Sequence, residues 1–315
     1  LEQVCAMTQS IRAPSLVLLA GPTASGKSAL ARELAQQHEA EIVNLDAFQL
    51  YRGMRIGTAQ PSPEERAQVP HWLYDFCDPR QGMSAAAYAA LADQTADEIF
   101  SRGKRVIFVG GTGFYLRALL YGLFEAPPVD EALRASLTER SLLPGGKEAL
   151  HHELAQVDPE SASRLPINDA YRVTRALEVF LQTGISLTEH HRAQQRGPRY
   201  RFLLLALDPP HEELAAKQAR RLAVMMQAGW LEEVRALQEE GITESAPGCK
   251  AIGYRALFSV LRGEKTRAEA EAEILREHKA YAKRQRTWLR AEPGVRWFSS
   301  PQDPALRLEV SSFWF

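Results

Sequence analysis

The sequence predicts an α/β fold: a parallel-sheet core that carries a phosphate loop and is interrupted by a helical insertion. Three observations predict it. Residues 21–28 read Gly-Pro-Thr-Ala-Ser-Gly-Lys-Ser directly after an apolar run, the strand-to-helix setting in which this pattern binds phosphate. Short apolar runs alternate with helical periodicities on both sides of the loop's helix, as in sheets covered by helices. Strand signals then fade over the middle of the chain and return at residues 201–207.

The elements follow in order. Residues 16–20 (Leu-Val-Leu-Leu-Ala) are a buried strand, and 28–38 a helix with Leu30, Ala31, Leu34 and Ala35 on one face. Residues 41–45 are a second strand, 84–100 a helix, and 105–109 a third strand ending in Gly110-Gly111-Thr112-Gly113. All three strands run into polar or Gly-rich segments at their carboxyl ends, where ligands sit in open parallel sheets. Ala126-Pro127-Pro128 opens a helix-rich stretch, and the apolar strand 201–207 returns to the sheet. Core 14–120 with 199–300, and insertion 121–198, is the expected division. The last third is helical over 212–227, 231–239 and 267–290. The final helix holds six Lys/Arg against three Glu over 271–290, so it is locally basic in a chain of net charge −1. Any nucleic-acid surface is therefore a local patch. The tail after Trp297 carries no readable pattern.

Composition narrows the class. With 45% hydrophobic and 24% charged residues the chain is an ordinary globular protein. Cys5, Cys77 and Cys249 form no Cys-x-x-Cys pair, which argues against zinc and disulfides and fits a reducing cytoplasm. The paired histidines 151–152 and 190–191 are adjacent in sequence and do not share a helix face, so they are not expected to hold a metal. No apolar stretch reaches the roughly 20 residues of a membrane helix. The first dozen residues lack a signal-peptide apolar core and read as a loose N-terminus.

The loop residues Gly21, Pro22, Thr23, Ala24, Ser25, Gly26, Lys27 and Ser28 supply backbone N–H groups and a helix N-terminus for a di- or triphosphate. Lys27 reaches the outer phosphate, and Ser28 is the candidate magnesium ligand. Asp46, at the second strand's end, is placed as a general base or metal ligand. Thr112 can donate to a phosphate or leaving-group oxygen; as a bare motif it is equally a helix cap. Arg172 and Arg175 share a helix face; on the residues alone a solvated face is the simpler reading, a phosphate clamp the functional one. Tyr281 and Trp288 among the cations of the last helix suit RNA, or packing.

Together these segments resemble one family, the tRNA dimethylallyltransferases or tRNA isopentenyltransferases. The matching pieces are the loop 21–28, Asp46 with Tyr51-Arg-Gly-Met54, Ile56-Gly-Thr-Ala59, Pro70-His71 with Asp75, and Gly110-Gly-Thr-Gly-Phe-Tyr115. They continue through Asn168-Asp169 with Arg172 and Arg175-Ala-Leu-Glu178, Ile252-Gly-Tyr-Arg255, and Ala282-Lys-Arg-Gln285 with Thr287-Trp288. The resemblance implies a P-loop NTPase-like core with a helical insertion that grips the tRNA anticodon arm. It implies transfer of a dimethylallyl group from dimethylallyl diphosphate to N6 of adenosine 37, with magnesium (Mg2+), by a cytoplasmic monomer. The loop then holds the donor's diphosphate, with Asp46, Thr112 and Arg175 catalytic. The tRNA would lie along Asp46, Ala47, Phe48 and Gln49, with Thr112 and Arg134; along Tyr171, Arg172, Val173, Thr174 and Arg175; and along Lys250, Ala251, Ile252, Gly253, Tyr254 and Arg255. Ala47 stands where the family commonly has Ser, and Gln60 where it often has Lys. No zinc-finger extension follows residue 290, the pattern of the bacterial type. The alternatives are a prenyltransferase acting on free adenine nucleotides, a small-molecule kinase, and a non-catalytic RNA-binding protein. Against a kinase, the third strand ends in Gly-Gly-Thr without an acid.

Overall fold

The computed structural model describes residues 15–123, 130–193 and 197–314. The N-terminal dozen residues and Ala126-Pro127-Pro128 lie outside the described residues. The chain divides into two compact units, one ending at Leu120 and resuming at Pro198, the other spanning Tyr121–Gly197.

The first unit is built on one parallel sheet of six strands: β1 (Ser15–Ala20), β2 (Ala40–Leu45), β3 (His71–Trp72), β4 (Arg105–Gly110), β5 (Arg201–Leu207) and β6 (Arg296–Phe298), in the order β3-β2-β4-β1-β5-β6. The four inner strands are those read from apolar runs. They are covered on both faces, so their side chains are buried almost without alternation. The sequence reading misses β3 and β6 because they are edge strands of two and three residues, too short to show a period. On one side of β1 lie β4, β2 and β3; on the other lie β5 and β6. The loop at 21–28 thus sits where strand order switches direction, the usual place for a ligand crevice.

Helices α1 (Lys27–His38), α2 (Arg55–Thr58), α3 (Pro63–Gln68), α4 (Ala85–Ser101) and α5 (Gly113–Tyr121) precede or border the insertion. Tyr88 of α4 stacks on Tyr115 of α5 at 4.0 Å and donates its hydroxyl to Asn44 O at 2.5 Å, which fixes the exit of β2. The second unit has its own core. Helices α6 (Glu131–Leu142), α7 (Gly146–Val157), α8 (Pro159–Arg164), α9 (Ala170–Thr183) and α10 (Leu187–Ala193) bury Leu137, Leu150, Leu154, Val173 and Leu177 among themselves. Buried Asp158 ties α8 to α10, accepting Ser161 N–H (3.0 Å), Thr188 N–H (3.0 Å) and the Thr188 hydroxyl (2.7 Å).

Back in the first unit come α11 (His211–Gln227), α12 (Trp230–Glu239), α13 (Tyr254–Leu261), α14 (Arg267–Ala291) and α15 (Pro304–Trp314). Helix α14 opens with a capping box between Thr266 and Glu269 and buries Ala270, Ile274, His278, Ala282, Gln285 and Leu289, one stripe at helical spacing. The tail that gave no pattern in sequence is α15. Its Leu306, Val310 and Trp314 pack on α1 and the sheet core. No described helix is long and apolar enough to cross a membrane.

Candidate active site

The phosphate loop leaves β1 with Gly21 at φ 138°, and a β-carbon there would overlap the carbonyl of Leu207 on the neighbouring strand. Only glycine fits so close a backbone approach. Helix α1 begins at Lys27 with Gly26 as its N-cap and no side chain bonded there. Its first N–H groups face a cleft of about 450 Å³ lined by residues 24–29 of the loop, by Ala59, and by Lys217, Arg220, Arg221, Val224 and Met225 of α11. Lys27 Nζ donates to Gly21 O (2.9 Å) and Pro22 O (2.8 Å). Desolvation, with the nearby charge of Arg221, lowers its pKa to about 7, while Asp46 opposes the shift.

Asp46 leaves β2 through a turn organised by buried Asn44, whose amide donates to Asp46 O and Leu73 O at 3.0 Å and accepts Asp46 N–H at 2.9 Å. The carboxylate accepts Phe48 N–H at 2.9 Å. Desolvation raises its pKa above the usual Asp range; the Phe48 and Gln49 N–H groups, Lys27 and Arg221 pull the other way. The result is a carboxylate more basic than a surface Asp, beside the cations Lys27 and Arg221.

Thr112 joins the two strand ends. Its Oγ1 accepts Ala47 N–H at 2.9 Å, and its N–H donates to Leu45 O at 3.2 Å. The contact with residue 47 is made by the backbone, so Ala47 serves it as well as Ser would. Gln60, standing for Lys, donates to Tyr51 O at 2.9 Å and accepts from Arg66 at 3.3 Å, holding its own loop.

Gln285 of α14 completes the assembly. Its Oε1 accepts Thr23 N–H of the phosphate loop (3.2 Å), and its Nε2 donates to Gly111 O beside Thr112 (3.0 Å). A β-carbon at Gly111 would overlap that amide, so the glycine lets α14 reach the loop. Tyr281 and Trp288 also press on this turn, Tyr281 through a long contact to Gly111 O (3.5 Å) and Trp288 against Gly113. Both rings are half-buried against the turn at residues 111–113. Lys279, Lys283, Arg284 and Arg290 lie exposed, whereas Arg286 pairs with Asp208 at 2.5 Å.

The structure therefore brings together residues 21–28, Asp46, Thr112 and Gln49 in the first unit. It also adds two groups the sequence reading misses. Arg221 lines the cleft and acts electrostatically on both Lys27 and Asp46. Gln285 stands in the sequence as one residue of the motif at 282–285, and its bridge between Thr23 and Gly111 shows only in the fold.

Arg134 and Arg175 lie in the second unit, where both pair with the buried carboxylate of Glu178, at 3.1 and 2.9 Å. Arg172 is exposed and pairs with Asp169 at 2.5 Å. Tyr171 is 82% exposed, while Val173 is core and Thr174 returns its hydroxyl to Ala170 O. In the 250–255 segment Lys250 and Arg255 are exposed; Ala251 and Tyr254 are buried. The side chains of Val173, Ala251 and Tyr254 are buried and each fills a core, while their segments also carry exposed residues.

A family model described as IPP transferase matches residues 49–292. The chain is 48% identical over 290 residues to the tRNA dimethylallyltransferase of Anaeromyxobacter dehalogenans, covering 92% of this chain and 96% of that protein. It is 46% identical over 297 residues to the tRNA dimethylallyltransferase of Myxococcus xanthus, covering 94% and 96%. Among solved structures it is similar to the full-length tRNA isopentenylpyrophosphate transferase of Bacillus halodurans, with a TM-score of 0.69 and 34% identity over 95% of each chain. With its phosphate loop, Asp46 and Thr112 gathered on one sheet edge, the chain belongs to the IPP transferase family.

Proposed function

We propose that the protein transfers a dimethylallyl group from dimethylallyl diphosphate to N6 of adenosine 37 in the anticodon loop of tRNA. The observation that carries this reading is the pairing of a phosphate loop with a desolvated carboxylate, Asp46, across a turn shared with Thr112. Family membership and the names of its relatives support the same reading.

The target adenine leaves the anticodon-loop stack, as bases do for enzymes that act on their edges. Asp46 accepts the N6 proton as the nitrogen attacks the allylic carbon. The carbon–oxygen bond to the diphosphate breaks while the nitrogen–carbon bond forms, and the electron pair leaves on diphosphate. Negative charge grows on that oxygen, so the donors that matter are those fixed around it: the N–H groups at the start of α1, Lys27, and the Thr112 hydroxyl. Arg221 adds positive charge to the same cleft. Arg175, in the second unit, is paired with Glu178.

The fit to magnesium rests on donor chemistry. Ser28 presents an exposed hydroxyl at the start of α1, bordering the cleft. Among the described residues no group of three or more His, Cys, Asp or Glu forms a cage. In phosphate-loop sites the loop Ser or Thr hydroxyl joins phosphate oxygens and waters around magnesium, with no all-protein cage. Bound there, it would neutralise charge on the leaving diphosphate.

Labelled dimethylallyl diphosphate, magnesium and either tRNA or AMP test the reading. Label in tRNA alone is expected. Label in AMP would move the assignment to a free-nucleotide prenyltransferase. ATP turnover driven by a small alcohol, without prenyl transfer, would refute it.

A further inference from the structure

We infer that Glu233 is a positioning residue for the acceptor side of the site, acting through the short helix α2; its catalytic consequence rests on the prenyl-transfer reading, its structural role does not. Helix α2 has four residues, too few to hold themselves in a helix. It is clamped at both ends from outside. At its start, Ile56 N–H donates to Glu233 Oε2 at 2.6 Å and Gly57 N–H to Oε1 at 3.1 Å. The Tyr254 hydroxyl donates to the same Oε1 at 2.7 Å. A carboxylate at a helix start also meets the positive end of the peptide dipoles. Gly57 lies against the Trp230 indole nitrogen and the Tyr254 hydroxyl so closely that a β-carbon would overlap both. Trp230 and Tyr254 are themselves fully buried, so the seat is rigid.

At the other end, the Gln49 amide donates to Thr58 O at 3.0 Å and Ala59 O at 2.9 Å. Gln49 belongs to the Asp46 turn, and its own N–H supports the Asp46 carboxylate. A continuous path therefore runs from Glu233 through α2 and Gln49 to Asp46. Its anchor lies 177 residues from α2 in sequence, so the turn carrying the base takes its position from α12 and α13 as well as from β2. The diphosphate donors at the start of α1 are not on this path. Loss of the anchor is therefore expected to slow transfer to tRNA with little change in diphosphate affinity.

The test uses the full chain with Glu233→Gln, in which an NH2 group meets N–H donors, and Tyr254→Phe, which removes one donor and leaves the carboxylate. Amide exchange at Ile56 and Gly57 is expected to quicken about tenfold in Glu233→Gln, from one or two lost bonds to a charged acceptor. The kcat for tRNA is expected to fall about tenfold, with the Kd of inorganic diphosphate within about twofold. Tyr254→Phe shifts both readouts the same way by less, and carries the test if the first variant does not fold. Unchanged exchange at 56–57 in a folded variant overturns the proposal, as does a loss of diphosphate affinity equal to the loss of rate. If the unaltered protein transfers no prenyl group, the functional reading falls while the exchange measurement still decides the role of Glu233.

Discussion

Asp46 and Lys27 make the site's electrostatics, and each gives a prediction. Asp46→Asn keeps shape and the Phe48 contact but removes the base. Transfer is expected to fall by at least about 100-fold, the usual weight of a general base. Diphosphate affinity should hold or tighten, because a negative charge near the anion is gone. Single-turnover transfer beside calorimetric diphosphate binding separates the two; equal losses in both would make Asp46 an organiser of the loop. For Lys27, the free site has a pKa near 7. A bound anion favours the ammonium and raises that value, so binding takes up a proton above pH 7. The Lys27 contribution to affinity is therefore full well below 7 and declines as pH rises through the interval between the free and bound pKa values. Calorimetry at pH 8 in buffers of different ionisation heat should show this uptake; its absence, or affinity rising with pH, contradicts the account.

At the scale of elements, α14 is the brace between the phosphate loop and the turn at Gly111 and Thr112, the two halves of the proposed leaving-group site. Gln285→Ala strands the Thr23 N–H and leaves the Gly111 carbonyl only its long contact with the Tyr281 hydroxyl. The expected cost is about 1–3 kcal/mol of stability, together with weaker diphosphate binding. Thermal melts and binding on one preparation check both; a stability loss alone would make Gln285 a packing residue only. The exposed cations of the 250–255 segment are the corresponding surface prediction. Removing Lys250 and Arg255 together should flatten the salt dependence of tRNA affinity, by about one in the log–log slope for each that meets a phosphate. Anisotropy titrations at several salt concentrations measure it, and an unchanged slope removes them from the interface.

What was legible in the sequence follows from the same physics. Inner parallel strands are buried on both faces and announce themselves as apolar runs, so β1, β2, β4 and β5 could be read with the loop and Asp46 placed at their ends. The edge strands β3 and β6 contribute few residues and no period. Arg221 sits in an Arg-Arg pair on an amphipathic helix, and nothing local separates it from its solvated neighbour Arg220. Glu233 and Gln285 act across 177 and 262 residues, which no local pattern reports. The segments near RNA in the resemblance were readable as segments only; burial then divides them into Lys250 and Arg255 outside, Ala251 and Tyr254 inside.

For the whole molecule, the central claim concerns which part of the donor moves. A phosphate loop alone fits phosphoryl transfer, but β4 runs into Gly111-Thr112 without an acid, and Asp46, the proposed base, follows β2. The net charge of −1 means that RNA must be met by local cations rather than by overall charge. The direct test is a donor labelled separately on its carbon chain and on its phosphates, incubated with tRNA and magnesium. The account predicts the chain label in tRNA, as an N6-substituted adenosine after digestion, and the phosphate label released as intact diphosphate. Phosphate label in the tRNA, or released as single phosphates while the chain label stays free, would contradict it.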